Sequence, residues 1–394
     1  MSMVKEQIAV CLDKVIEYCR WFHQHPELSG QEKETAAYIA NALREMGLEP
    51  QENVGGYGVV ALIEGKAPGK CVGLRADFDA LPIEETTGLP FTSENSGVMH
   101  ACGHDMHAAM LLGAAWVLNQ MKDQFSGCVK LVFQPSEENN VASGAKAMIA
   151  DGVLENPKVD AMIGQHMWPL SPTGTYLVRD GAMMASSDRF YIKVFGKKSH
   201  GSAPENGIDA VVIAAQVITA LQTIVSRNVC PTDSAVITIG EIRGGIRYNV
   251  IPDEVVMVGT CRNFTPEMRN SMPGRIEQVV KGVTEALGGR YEFEYLMCYS
   301  PTVNDSKMFK LVREAVEESM PGTLIVPEKA AMTGEDFSFF CEQVPSCYCW
   351  LGCQEEGKEF YPLHHGSFSP DEKSIPIGIE AMVESALKFL ASER

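Results

Sequence analysis

Residues 58–64, 71–75, 128–133 and 161–164 are short apolar runs bounded by glycine, proline or charge, the pattern of buried strands. Between the second and third lies 105–119, which has helical spacing and good helix formers. Strands alternating with helices in this way build an α/β sheet, and few other architectures accommodate them. The opening is helical, over 15–22 and 35–46, with His25-Pro26 and Ser29-Gly30 interrupting between the two stretches. Residues 76–82 read as a loop that leaves the second strand and carries two acids, Asp77 and Asp79.

The pattern changes at about 181–187. A strand at 189–195, a helix at 209–227 and strands at 235–240 and 255–261 follow, then a helix at 266–287 and a strand at 291–295. That βαββαβ order is typical of ferredoxin-like domains. From about residue 301 the chain returns to helix and strand with motifs of its own, so the first domain is expected to be discontinuous in sequence. A chain of 394 residues usually divides its core in this way. The expected boundaries are 1–186 and 299–394 for the first domain, α/β with a mixed central sheet flanked by helices, and 187–298 for an inserted α+β domain.

The formal net charge of -18 would repel a phosphate backbone, and no basic run with interleaved aromatics is present, so nucleic acid is excluded as a partner. Lys5, Glu6, Asp13 and Lys14 break the apolar core that a signal peptide would need. The best candidate for a membrane span, 210–225, contains Gln216 and Gln222 and is too short to cross, so no membrane association is expected. The 12 cysteines are mostly scattered through apolar segments, which suits reduced thiols and a cytoplasmic location.

The densest chemistry is Met99-His100-Ala101-Cys102-Gly103-His104-Asp105-Met106-His107, between a loop and a helix start. Thiolate and imidazole are the ligands that zinc, manganese, cobalt or nickel accept. In Gln134-Pro135-Ser136-Glu137-Glu138 two adjacent acids end an apolar strand, a costly placement unless a cation compensates them. His166 follows another strand, and His364-His365 lies near the C-terminus. Taken singly, a C-x-H is commonly accidental and an acid pair usually marks a solvated turn. Together, ligand-type residues at strand ends can converge along one edge of an α/β sheet.

Seven segments in order give the chain a resemblance to the M20 metallopeptidases, in particular to the amidohydrolase branch of hippurate hydrolases, N-acyl-amino-acid amidohydrolases and plant auxin-conjugate hydrolases. They are His23-Gln24-His25-Pro26-Glu27-Leu28-Ser29, Arg75-Ala76-Asp77-Phe78-Asp79-Ala80-Leu81-Pro82, Cys102-Gly103-His104-Asp105, Gln134-Pro135-Ser136-Glu137-Glu138, Ser199-His200-Gly201-Ser202-Ala203-Pro204, Asn249-Val250-Ile251-Pro252-Asp253-Glu254 and Gly334-Glu335-Asp336-Phe337. The resemblance implies two divalent metal ions held by Cys102, His104, Glu138, His166 and His364, with Glu137 as catalytic acid and base. Five ligands for two ions imply sharing, and a thiolate or the solvent molecule can bridge. Related branches use a bridging carboxylate and an extra histidine, which the region near Asp77 and Asp79 lacks; Asp79 reads instead as a support that orients a ligand. His365 is the alternative to His364.

By the same resemblance His200 supplies an oxyanion donor from the inserted domain, which becomes a lid and a dimerisation surface. Arg262 and Asn249 are candidates for binding a substrate carboxylate, against the plainer reading of a surface arginine and a turn asparagine. Cys341, Cys347, Cys349 and Cys353 fit no standard zinc-finger spacing, and Tyr348 and Trp350 interleave with them as in a buried strand. The implied activity is hydrolysis of the amide bond of a small N-acyl amino acid by metal-activated water. The alternatives are a metallo-carboxypeptidase or dipeptidase, and a silent protein that binds acyl-amino acids without cleaving them.

Overall fold

The computed structural model describes residues 2–393, in two compact units. Of the described residues, the first comprises 2–183, 303–329 and 336–393; the second comprises 184–302 and 330–335. The short return 330–335, expected in the first domain, belongs to the second unit. Ala185 N donates to the carbonyls of Ala331 and Thr333, both at 3.0 Å, and ties the segment there.

In the first unit the four apolar runs become strands Gly58–Glu64, Cys71–Asp77, Cys128–Gln134 and Ala161–Pro172 of one eight-stranded mixed sheet. Cys71–Asp77 is buried along its whole length, as a central strand covered on both faces must be. It pairs in parallel with Cys128–Gln134 on one side, Asp77 opposite Gln134, and with Ala161–Pro172 on the other. The chain crosses first to one neighbour and then, over the central strand, to the other. The loops after these strands therefore open at one edge, at the reversal point where α/β sheets bind ligands.

Between Cys71–Asp77 and Cys128–Gln134 runs the helix His104–Gln120, buried on nearly every side because it packs against Met3–Gln24, Ile375–Ala391 and the central strand. The Met3–Gln24 helix starts well before the expected residue 15. Val4, Ile8, Cys11, Val15, Cys19 and Phe22 form one continuous buried stripe, and Lys5, Glu6, Asp13 and Lys14 lie on the outer face. A second departure concerns His166, which lies inside its strand rather than after it. The strand outruns its partner: pairing with Cys71–Asp77 stops at Gly164, leaving His166 just past the shared edge.

The second unit carries a four-stranded antiparallel sheet in the order Ala235–Gly244, Glu254–Asn263, Ser187–Phe195, Arg290–Tyr299. Helices Ala210–Thr223 and Pro266–Ala286 pack on it around Phe190, Ile192, Val194, Ile213, Val217 and Ile276. Strand Ser187–Phe195 alternates buried and half-buried residues, the signature of a sheet with one covered face. The first helix continues through a π turn to Asn228, and Ala210–Asn228 is long and apolar enough, by length and composition, to cross a membrane. That corrects the expectation that this stretch is too short. Ala210, Ile213, Ala214, Val217, Leu221 and Ile224 of this segment are spent on the core of the unit.

Candidate active site

Local backbone geometry aims the polar side chains at the open edge of the first unit's sheet. Cys102 and His104 flank Gly103, whose φ of 84° lies in the left-handed region. A Cβ at that position would sit 2.9 Å from Met167 Cγ, so only glycine makes this turn into the helix. Ser136, just before Glu137, and His364 also take left-handed φ values, 56° and 63°, which cost a non-glycine residue roughly 1–2 kcal/mol. Strain of this kind persists where surrounding contacts impose it, and contacts are dense here.

Two groups of three ligand atoms, each within 4.8 Å of one another, share a residue: Cys102 with His104 and His166, and Cys102 with Glu138 and His364. Cys102 Sγ lies 3.4 Å from His166 Nε2, and Glu138 Oε1 lies 3.1 Å from His364 Nε2. His104 Nδ1 donates to the carbonyl of Asp79 at 3.0 Å and to its Oδ1 at 3.2 Å, while Nε2 has no hydrogen-bond partner. His166 Nδ1 donates to Met167 O at 2.7 Å. His166 thus keeps its proton on Nδ1 and turns an Nε2 lone pair towards Cys102, whereas His104 Nε2 presents a lone pair only once that ring has given up its second proton. Asp79 does more than orient His104, since its Oδ2 accepts from Ser29 Oγ at 2.6 Å and from Glu138 N at 2.9 Å.

A third cluster, Asp77 with His104 and His107, is closed to a cation by its own hydrogen bonds. His107 Nδ1 donates to Asp77 Oδ1 at 2.5 Å, and Nε2 accepts from Met167 N at 2.8 Å, so neither nitrogen has a lone pair to give. His107 was visible in the sequence only as part of a crowded motif. Its work is to hold the backbone beside His166. Asp77, read as a loop acid, is the last residue of its strand and pairs with fully buried Arg75 at 2.7 Å.

Charge follows burial and neighbours. Burial opposes a proton on His104, but Asp77, Asp79 and Glu138 outweigh it and raise the ring to about 10. Burial lowers His166 and His107 to about 4. The Cys102 thiol is pushed well above its ordinary value by burial, with Glu138 and Glu137 adding to it. Sulfur, imidazole nitrogens and carboxylates gathered within 4.8 Å of one another form a donor set that, once deprotonated, fits a pair of divalent cations.

Residues 73–388 match Peptidase family M20/M25/M40. The chain belongs to this family. It is 40% identical over 373 residues to an N-acetyl-L-cysteine deacetylase of Bacillus subtilis, covering 95% of this chain and 87% of the relative. It is 38% identical over 392 residues to thermostable carboxypeptidase 1 of Saccharolobus solfataricus, covering 99% and 98%. A crystal structure of a dinuclear metal binding M20 peptidase from Bacillus subtilis superposes with a TM-score of 0.85 at 35% identity, covering 97% of this chain and 99% of that one.

The remaining residues singled out in this M20 chain lie in the second unit or outside the groups above. His200 and Asn249 are neighbours: strand Ser199–His200 pairs with Val250–Ile251, and Gly201 N donates to Asn249 O at 2.9 Å. His200 Nδ1 accepts from Ser202 N at 3.2 Å, which leaves the ring proton on Nε2 of an exposed side chain. Arg262 lies on strand Glu254–Asn263, half-buried, opposite Val236. His365 accepts from Ser367 N at 3.0 Å through Nδ1 and stacks on Tyr361. Cys347, Cys349 and Cys353 are buried on strand Ser346–Gln354, and all 12 cysteines are free thiols.

Proposed function

We propose that this M20-family hydrolase cleaves the amide bond of small N-acyl amino acids, using two divalent metal ions held by Cys102, His104, His166, Glu138 and His364. The observation that carries the reading is the pair of three-ligand groups sharing Cys102, with the buried carboxylate of Glu137 beside them. When bound, such a metal pair polarises the scissile carbonyl and lowers the pKa of the attacking water. Glu137 takes a proton from that water on its carboxylate and delivers it to the departing nitrogen, a role that needs one group within reach of both. Asp79 keeps His104 and Glu138 in register through the hydrogen bonds described above. His200, with its proton on Nε2, is suited to donate to the developing oxyanion, and Asn249 and Arg262 to bind the substrate carboxylate.

Support for the acyl-amino-acid class comes from the deacetylase relative, whose name specifies an N-acetylated amino acid. The carboxypeptidase relative favours a second reading, the same attack on an unacylated peptide. The deciding experiment measures free amine released from N-acetyl, N-benzoyl and dipeptide substrates by manganese- and zinc-loaded protein, with Glu137→Gln as control. Turnover of acylated amino acids, reduced about 100- to 10,000-fold in the variant with both ions retained, is the expected outcome. Turnover of dipeptides alone assigns the peptidase activity, and binding without turnover by any metal form assigns a silent binding protein.

A further inference from the structure

The Gly334-Glu335-Asp336-Phe337 segment carries part of the resemblance to the family, yet it supplies neither a metal ligand nor the base of the proposed hydrolysis. Asp336 is fully buried. Its Oδ1 accepts from Arg75 Nη2 and from Gln134 Nε2, both at 2.8 Å. Its Oδ2 accepts from Gln134 Nε2 at 2.9 Å, Ser143 Oγ at 2.9 Å and Ala145 N at 3.0 Å. Gln134 ends a strand, and Ser143 caps the helix Gly144–Ala150. A single carboxylate therefore ties both ends of 135–143, the loop that carries Glu137 and Glu138.

The loop is pinched tightly at that point. Gly144 N donates to Ser136 O at 3.1 Å, and a Cβ on Gly144 would fall 1.6 Å from Pro135 O. The backbone N–H of Asp336 itself donates to Glu137 Oε1 at 3.4 Å. One residue thus closes the loop and touches the carboxylate that the loop presents.

We propose that Asp336 is a positioning residue that sets the orientation of Glu137, an inference that rests on Glu137 being the base of the hydrolysis. Hydrolysis requires that carboxylate within hydrogen-bond reach of water and of the leaving nitrogen in turn, and a displacement of an ångström is enough to lose much of the rate. An asparagine keeps the shape but offers one oxygen in place of two. Its Nδ2 must then face donors, either Gln134 and Arg75 or Ser143 and Ala145, and the loop closure loosens.

The test compares wild type, Glu137→Gln, Asp336→Asn, Ser143→Ala and Val312→Ala, all metal-loaded, by kcat, KM, bound metal and thermal midpoint on an N-acetyl amino acid. Val312 is a buried residue of the Ser306–Ser319 helix and serves as a stability control. Asp336→Asn is expected to lower kcat by about 10- to 100-fold with KM within about threefold and both ions retained. Ser143→Ala should lower kcat in the same direction by a smaller factor, and Val312→Ala should lower the midpoint and leave kcat unchanged. The proposal is overturned if Asp336→Asn keeps its kcat, if its loss is matched by Val312→Ala at equal midpoint, or if it loses the ions. Should Asp336→Asn fail to fold, an unchanged kcat in Ser143→Ala overturns it. If Glu137→Gln retains full activity the base assignment fails; if that variant is inactive while Asp336→Asn is active, only the positioning role fails.

Discussion

Metal uptake should release protons in a number set by the site. In the metal-free chain burial holds the Cys102 thiol well above its ordinary value, and His104 is raised to about 10 because neighbouring carboxylates overcome the cost of burying its charge. Burial keeps His166 at about 4 and therefore neutral. An ion entering the Cys102, His104 and His166 group near neutral pH must displace one proton from each of the first two residues and none from the third. Affinity should then fall about 100-fold per pH unit of acidification between about pH 6 and 8, or about 2.7 kcal/mol per unit. Calorimetric titration of zinc into chelator-stripped protein, repeated in buffers of different ionisation enthalpy, counts the protons directly. Cys102→Ser should reduce the count by one. A wild-type count near zero would refute the argument, because the thiol and imidazole would then be either already deprotonated or outside the metal's coordination.

Three further outcomes follow from individual side chains. His364→Ala should bind one ion where wild type binds two, whereas His365→Ala should keep both, as inductively coupled plasma analysis of dialysed protein would show; equal stoichiometry in both variants assigns the ligand elsewhere. Burial, with Asp79 adding, pushes Glu32 up to about 7, while its Oε1 accepts from Ser136 N at 2.8 Å and Ser136 Oγ at 2.9 Å. An acid raised in the folded state costs stability as pH climbs from its unfolded value to its folded one, here by at most about 3 kcal/mol above pH 7. Glu32→Gln keeps an acceptor for Ser136 and removes that cost, so the metal-free variant should melt higher than wild type at pH 8 and lose the advantage by pH 5; parallel melting curves across that range would count against it. His107→Phe should impair metal retention without removing a ligand, since it frees Met167 N and leaves Asp77 short of a partner; unchanged metal affinity would show that the backbone beside His166 needs no such support.

The candidate site residues are legible because chemistry and local order coincide: Cys102 and His104 sit in one motif, and Glu137 and Glu138 follow the end of an apolar strand. The residues that hold them are not. Glu32 reaches Ser136 across 104 positions, and Asp336 reaches Gln134 across 202, so no local pattern marks either contact. Unit boundaries suffered similarly, because 330–335 joins the second unit through two backbone hydrogen bonds that leave no compositional trace. The helix Met3–Gln24 is hard to delimit for a different reason: its early charges interrupt the apolar run, and only the buried stripe shows them to be the outer half of an amphipathic repeat.

Asp77 shows why a buried acid cannot be assigned from its neighbours in sequence. It stands 3.7 Å from His104 Nε2, close enough to be taken for a ligand, yet Arg75 and His107 already engage its oxygens. Burying that carboxylate is sustainable because a guanidinium shares the same dry environment, and removing either partner of such a pair costs about 3–5 kcal/mol. Arg75 also reaches Asp336 at 2.8 Å, so one cation is shared between the strand end and the residue that closes the Glu137 loop. A third ion drawn into Asp77 would have to displace Arg75 from a position with no solvent to receive it. The same network that makes Asp77 look like a ligand is what closes it to a cation.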